Sequence, residues 1–258
     1  MLDISKAKKE IAAHVLLAAK RGAKQAYAAC LTPIQDYIRE ARHITNLHVD
    51  GYFPIEWDNE GLRVLMWPYR EIIPLNLKLP HGVGQTIRKN NFSFTTNQNF
   101  EQVMEVCAVP RKQASPVWIR QRLKNFLREL HAEGAAHSVE IYDGAHMLGG
   151  ALGLQMGAIF VALSVFSHQS GAGTAACAVV KHMLCNNGFE IFDSITPSPL
   201  SELFGGELQV LRTTRYAREL AAKRKLAFPV ISDKLPVAQY LRISQPSRVR
   251  EHGRSFPR

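Results

Sequence analysis

Three places in the second half of the chain carry groups that could take part in chemistry. Asp193 ends an apolar segment, so its carboxylate could act as a general base or could cap the turn that follows. Ser167 follows a long apolar run and could contact a substrate or cap the next turn. His168, Gly171 and Gly173 form an H-x-x-G-x-G pattern before a helix, where backbone amides can bind a phosphate or glycines can loosen the helix entry.

The elements that must position these groups follow from the periodicity of apolar residues. An apolar face at helical spacing precedes a series of alternating or continuous apolar runs, and Asp143–Gly144 is typical of a hairpin turn. Upstream, the pattern predicts a strand at 92–96 and a helix at 100–108 capped by Asn97. The downstream prediction is a helix at 119–130, strands at 137–142, 147–154 and 158–166, a helix at 172–187, a strand at 189–193, a short helix from Ser198, a strand at 207–211 and a helix at 213–225.

The composition is that of a soluble, globular and basic protein. The 258 residues are 46% hydrophobic and 21% charged, and the net charge of +10 favours a polyanionic partner over a merely solvated surface. The four cysteines include no C-x-x-C pair, so we expect free thiols, no metal and a cytoplasmic location. No apolar run has the length of a membrane helix, and no signal peptide is expected.

The chain is expected to divide near Ser115–Pro116, where the pattern becomes regular. We predict a basic helical extension at 1–32, a smaller α/β domain at 33–115 with a helical stretch at 33–44, and a larger domain at 116–241. The remainder, 242–258, is polar and arginine-rich and is predicted to be disordered.

Seven short motifs support a family resemblance. They are FEQVMEVCA (100–108), VWI (117–119), LHAEG (130–134), HSVEIY (137–142), LGGALG (148–153), SVFS (164–167) and IFDS (191–194). Their order and spacing resemble the leucyl/phenylalanyl-tRNA–protein transferases from about Pro33 to Leu226. The resemblance implies an α+β fold with a Gcn5-related acetyltransferase-like mixed sheet, and transfer of an amino acid from tRNA to a protein N-terminus.

Two positions depart from that family's pattern where the family places polar chemistry. The family motif GESMFS becomes ALSVFS, so Leu163 replaces a glutamate, and the motif Asp-x-Gln becomes Asp193-Ser194-Ile195. The resemblance carries over Ser164, Phe166, Ser167 and Asp193. A leucine cannot accept a proton and an isoleucine side chain donates no hydrogen bond, so the sequence predicts an altered active site.

The resemblance also implies an apolar pocket for the aminoacyl side chain, although an ordinary core explains the same residues. Gly51–Pro54 and Trp67 match a region that the family uses beside the tRNA 3′ end, where Trp67 could stack on a base. The expected pocket residues are Phe160, Leu163, Ser164, Phe166, Val179, Phe192, Ile195 and Trp67.

Three interpretations of function stay open. The first is a tRNA-dependent aminoacyltransferase, without a cofactor, that acts on a protein or peptide N-terminus or a small amine. The second is an acyl-CoA-dependent N-acyltransferase, with phosphate held at His168, Gly171 and Gly173. The third is a non-catalytic tRNA-binding protein. In the first and third, the N-terminal lysines, the basic residues of 120–128 and those of 212–225 would form a tRNA-binding track on a monomer.

Overall fold

The computed structural model describes residues 31–33, 48–57, 61–66, 69–76, 78–109 and 118–242. Most of the helical extension predicted at 1–32 and of the helix predicted at 33–44 lies outside the described residues, as do Trp67 and the segment 243–258; the described part of those two ranges, Leu31–Pro33, is a strand and not a helix.

The described strands form a small sheet and a large sheet. The small sheet is antiparallel, with strand order β1-β3-β2, and the large sheet has the order β10-β4-β9-β8-β7-β6-β5-β11. The strands are β1 (Leu31–Pro33), β2 (Tyr52–Trp57), β3 (Gly61–Met66), β4 (Tyr69–Ile73), β5 (Ser93–Thr96), β6 (Ala136–Asp143), β7 (His146–Met156), β8 (Ile159–Ser167), β9 (Ile191–Asp193), β10 (Glu207–Val210) and β11 (Leu235–Pro236).

The large sheet is mixed, because β8 and β9 run parallel while the neighbouring pairs are antiparallel. This confirms the predicted α+β fold with a mixed sheet, and the predicted order of elements after residue 118 is also observed. The helices are α1 (Val83–Lys89), α2 (Phe100–Cys107), α3 (Gln121–Ala132), α4 (Ala172–Asn186), α5 (Pro199–Leu203), α6 (Leu211–Ala222) and α7 (Val237–Tyr240).

Helices cover both faces of the large sheet and create two apolar clusters. On the α2–α3 face, residues of α2, α3 and the end of α6 pack against inward-facing residues of β7 and β8. On the α4 face, α4 packs with α1 and α7 against the opposite side of β6 and β8. Helix α4 is apolar nearly all round, with eleven buried residues, and this explains its place as the central covering helix.

Strands β8 and β9 stay together for only three residue pairs, Ile159–Val161 with Ile191–Asp193. Beyond these pairs β8 continues to Ser167, while the chain after Asp193 turns toward α5. A β-bulge lies at this point, because Ala162 and Ser164 pair with consecutive residues of β7 and Leu163 is the extra residue. The divergence of two parallel strands beside a bulge opens a gap in the sheet.

Two strands from the range 33–115, β4 and β5, are members of the large sheet. The division near Ser115–Pro116 into two folding units therefore stays a prediction. The prediction that Asn97 caps α2 is wrong. Asn99 is the N-cap residue, and Asn97 Oδ1 instead accepts a hydrogen bond from the Ser138 backbone N–H at 2.9 Å, which ties the loop to β6.

The turns after β6 and β7 provide a matched pair of glycines, Gly144 and Gly157, for a stability test. Gly157 has φ +58°, and a Cβ there would lie 2.5 Å from the carbonyl oxygens of Ala221 and Ala222, whereas Gly144 has φ +57° and open space around it. We expect Gly144→Ala to cost about 1 kcal/mol and Gly157→Ala at least about 2 kcal/mol more, because only Gly157 also packs against α6. Urea unfolding measures both values, and equal losses would contradict this packing.

Candidate functional site

The gap between β8 and β9 is the mouth of a cavity of about 500 Å³ that reaches both faces of the sheet. Such a volume is typical of sites for small molecules and side chains. From the α4 face it is lined by Phe160, Ala162, Val165, Cys177, Val180 and Phe192, and from the α2–α3 face by Cys107, Ala108, Trp118 and Leu163.

The cavity wall is mostly apolar and also carries hydroxyl groups. None of the described residues that line it is an aspartate, glutamate, histidine, lysine or arginine. The partly exposed Ser164, Ser194, Thr196 and Ser198 form its rim, whereas Ser201 is buried and donates to the Ser198 carbonyl oxygen. An apolar side chain can therefore be buried here without leaving a charged group unpaired, whereas a charged side chain would lose its hydration with no compensating partner on the wall.

The structure brings together four of the predicted pocket residues, namely Phe160, Leu163, Ser164 and Phe192. Phe166 and Ile195 are buried in the cluster on the α2–α3 face and do not line the cavity. Val179 is buried in the α4 cluster, also away from the cavity wall. Trp67 lies outside the described residues, and Trp118, from the loop before α3, supplies the tryptophan at the cavity.

Asp193 does not line the cavity and lies in a cluster of buried charged groups. Arg218 Nη2 donates a hydrogen bond to Asp193 Oδ2 at 2.9 Å, and Arg70 Nε forms an ion pair with the same oxygen at 3.1 Å. His48 Nε2 lies 3.2 Å from this oxygen and His48 Nδ1 lies 2.6 Å from Arg70 Nη2. Arg218 Nη2 also lies 2.5 Å from His48 Nε2, so this nitrogen faces both a guanidinium donor and a carboxylate oxygen. All four side chains are at most 2% exposed.

The electrostatics of this cluster make Asp193 a poor proton acceptor. Burial by itself would raise the pKa of Asp193, but the guanidinium groups of Arg70 and Arg218 outweigh it and hold the pKa below its usual range. Burial, followed by the charge of Arg70, lowers the pKa of His48 to about 3, so His48 is neutral at physiological pH. The formal charges of these four side chains sum to +1, and the buried Glu71 follows Arg70 on β4.

The second oxygen of Asp193 holds an unusual backbone. Ile195 has φ +64°, a left-handed conformation that is strained for a β-branched residue. Its backbone N–H donates to Asp193 Oδ1 at 2.7 Å. Asp193 therefore caps the turn that follows it, one of the two roles expected from the sequence, and does not line the cavity.

Ser167 and the glycine motif form the entry to α4. Ser167 Oγ accepts from the Gly173 N–H at 3.1 Å and donates to the Gln169 carbonyl oxygen at 2.7 Å. Of the two roles expected for Ser167, substrate contact and capping of the next turn, these hydrogen bonds support capping. Gly171 has φ +88°, and a Cβ there would lie 2.5 Å from Thr86 Cγ2, so this glycine serves the close packing of α1 against α4. With the Gly173 amide engaged, the phosphate site proposed for His168, Gly171 and Gly173 lacks one of its donors.

Much of the predicted basic track is paired with acidic groups. On α3, Lys124 pairs with Glu105 and Arg128 with Glu101. On α6, Arg218 is buried in the charged cluster. The remaining pairs are Arg215 with Asp50 and Glu219, and Arg224 with Glu190.

Sequence reasoning missed three members of the charged cluster, His48, Arg70 and Arg218. For Arg218 a signal was available, because Leu211, Arg218 and Ala221 share the buried side of α6 and place an arginine on a face that should be apolar. Arg70 and Glu71 are adjacent charged residues that are buried on β4, next to Ile72 and Ile73. Nothing in the local sequence marks His48.

Two buried histidines make the folded state sensitive to acid. Burial lowers the pKa of His48 to about 3 and that of His137 to about 4, from an ordinary value of 6.5. Between these values and 6.5 the unfolded chain binds more protons than the folded chain, so the free energy of unfolding falls as the pH falls. We expect His137→Gln to reduce this slope in urea titrations between about pH 7 and about pH 4, and an unchanged slope would contradict the burial effect.

Within the part of the chain that the structure describes, no helix has the length and apolar character needed to cross a bilayer. The same residues contain no group of three or more side chains suited to holding a metal ion.

Comparison with known proteins gives consistent matches. The family model described as leucyl/phenylalanyl-tRNA protein transferase matches residues 72–221. A leucyl/phenylalanyl-tRNA–protein transferase of Shewanella sediminis is 33% identical over 63% of this chain and 69% of its own length, and one of Pseudomonas fluorescens (strain SBW25) is 33% identical over 61% and 70%. A Gcn5-related N-acetyltransferase-like protein from Streptococcus suis aligns with a TM-score of 0.31 and 15% identity over 66% of this chain and 64% of that one.

Proposed function

We infer from membership of the leucyl/phenylalanyl-tRNA protein transferase family, to which this chain belongs, that it transfers an apolar aminoacyl group from aminoacyl-tRNA to an amine. The observation that carries the proposal is the cavity at the divergence of β8 and β9, whose described lining is mostly apolar and includes no charged side chain. Leucine and phenylalanine are the side chains that such a wall accommodates best, because they bury apolar surface and leave no polar group unpaired.

The transfer itself requires little acid–base chemistry from the protein. The neutral amine nitrogen attacks the ester carbonyl carbon and forms the amide bond, the bond from that carbon to the tRNA ribose oxygen breaks, and the amine proton is lost as the ribose hydroxyl is regained. The ester is already activated, so holding the two reactants in line can supply about 7–11 kcal/mol in the most favourable cases. Leu163 at the cavity adds no proton acceptor.

We propose that Asp193 contributes to this reaction by positioning, since it is buried, paired with two arginines and engaged with the Ile195 amide. A carboxylate with a lowered pKa is a weak base. We therefore expect water, or a group of the two substrates, to accept the proton that the amine loses. The reaction is expected to depend on pH through the amine acceptor, which must be neutral to attack.

The acceptor is proposed to be a protein or peptide N-terminus or a small amine. Leu163 stands at the cavity where the family motif has a glutamate, and none of the described residues that line the cavity carries a carboxylate, so no counter-charge lies beside the bound donor for a basic acceptor. We therefore expect poor transfer to peptides that begin with lysine or arginine, compared with peptides that begin with an uncharged residue.

Binding measurements test the proposed donor. The net charge of +10 and the family membership predict that the protein binds tRNA, with an affinity that falls steeply as salt is raised because bound counterions are released. Coenzyme A at about millimolar concentration should leave the melting temperature unchanged, since a ligand of the native state would raise it. Stabilisation by coenzyme A without binding of tRNA would overturn the proposal in favour of an acyl-CoA donor.

A further inference from the structure

Two buried arginines are connected to the rim of the cavity through the two oxygens of a single carboxylate. Arg70 and Arg218, at 0% and 1% exposure, contact Asp193 Oδ2 at 3.1 and 2.9 Å. Asp193 Oδ1 accepts from the Ile195 backbone at 2.7 Å. The arginines thus fix the orientation of the carboxylate, and the carboxylate fixes the backbone of the next turn.

That turn carries part of the cavity wall. Ser194 and Thr196 line the cavity on either side of Ile195, whose own buried side chain does not. The neighbouring strand β4 adds two more bonds, since Ser194 N–H donates to the Glu71 carbonyl oxygen at 2.8 Å and the Glu71 N–H donates to the Ile195 carbonyl oxygen at 3.3 Å. If the bond from Ile195 to Asp193 were lost, the strained φ of +64° would relax toward negative values and the hydroxyls of Ser194 and Thr196 would move.

The sequence of the turn shows that the backbone of Ile195 needs to be held by its surroundings. Glycine or asparagine adopts positive φ readily, but this turn places an isoleucine there, so the conformation must be imposed by its surroundings. Burying two guanidinium groups and one carboxylate also costs desolvation free energy. Apolar residues of the same volume often stabilise a core equally well, so a role in stability alone does not explain this cluster.

We propose that Arg70 and Arg218 are positioning residues for aminoacyl transfer, which hold Asp193 so that it sets the backbone of Ile195 and the shape of the cavity rim. The inference rests on the proposed function and adds to it the residues that determine how the donor fits. It predicts an effect on donor binding that is larger than the effect on the chemical step, since neither arginine lines the cavity.

The test compares lysine substitutions of a buried and an exposed arginine. Arg218→Lys keeps the positive charge but loses the planar fork that orients the carboxylate, whereas Arg88→Lys alters an exposed arginine in the last turn of α1, outside the predicted tRNA-binding track. Below the melting temperature of each protein, we expect Arg218→Lys to raise the KM for leucyl-tRNA at least ~10-fold with kcat within ~3-fold, and Arg88→Lys to change neither that much.

Amide hydrogen exchange supplies a readout that does not need activity. In Arg218→Lys the peptide that contains Ile195 should exchange at least ~10-fold faster than in the native sequence, while peptides from the centre of β7 should keep their protection. If Arg218→Lys does not fold, Arg70→Lys replaces it, because Arg70 pairs with the same carboxylate. The KM for leucyl-tRNA and the exchange of the Ile195 peptide are then measured in that variant.

The outcomes separate this inference from the proposed function. Faster exchange with unchanged KM would show that the arginines order the turn but do not position the donor, and would overturn the inference. Equal KM and equal exchange in Arg218→Lys and Arg88→Lys would overturn it as well. A native protein that transfers nothing from leucyl-tRNA would overturn the proposed function, and with it the assignment of the arginines to transfer.

Discussion

Replacement of Ala162 by phenylalanine is expected to lower aminoacyl transfer at least ~100-fold, about 2.7 kcal/mol of transition-state stabilisation. Ala162 lies on β8 at the bulge and lines the cavity from the α4 face, so a larger side chain there would occupy the space that an apolar aminoacyl group needs. Transfer of leucine from leucyl-tRNA to a peptide amine measures the loss.

The matched control for this substitution is Ala162→Ser, which changes the volume of the side chain very little. It should keep transfer within ~3-fold of the native sequence, and both variants should remain folded by melting temperature and circular dichroism. A folded Ala162→Phe protein that transfers leucine normally would show that the cavity between β8 and β9 is not the donor site.

Removal of the Asp193 carboxylate is expected to produce the largest loss of stability of any single substitution considered for this chain. Asp193→Ala leaves Arg70 and Arg218 buried without their counter-ion, and breaking a buried ion pair in this way costs about 3–5 kcal/mol. Urea unfolding near neutral pH measures the loss, with the transition midpoint and slope compared to exclude a change in the unfolded state.

An exposed ion pair provides the control for Asp193. Asp50 pairs with Arg215 at 2.8 Å on the surface, at 44% exposure, and Asp50→Ala should cost less than about 1 kcal/mol. Because the pKa of Asp193 is held low, its stabilising contribution is complete above the pKa of an unfolded aspartate, about 4, and decreases as the pH falls below it. Similar losses for both variants would contradict the burial and pairing of Asp193.

The sequence predicted the part of the fold that depends on local periodicity. The strands β6, β7 and β8, the helix α4 and the hairpin turn at Gly144 appear within a few residues of their predicted limits, because each has a strong apolar pattern or a specific turn signal. The strand predicted at 189–193 is shorter in the structure, Ile191–Asp193, since it pairs with β8 over only three residues.

The environment of Asp193 could not be predicted in the same way. Its partner His48 is 145 residues away in sequence, and Arg70 lies on β4, the strand that pairs with β9 but precedes it by more than 100 residues. The positive φ of Ile195 could not be predicted either, because isoleucine disfavours this conformation and only tertiary contacts impose it. The pocket was predicted in apolar character, but which residues line it depends on the bulge at Leu163.

The central claim is the transfer of an apolar amino acid from tRNA to an amine, and one measurement tests it most directly. Leucyl-tRNA is incubated with the protein and a peptide that begins with an uncharged residue, and the peptide is analysed by mass spectrometry. The claim predicts a product heavier by one leucine residue, which is absent when the protein is omitted and strongly reduced with Ala162→Phe. An unmodified peptide beside tRNA that is bound and still charged would contradict it.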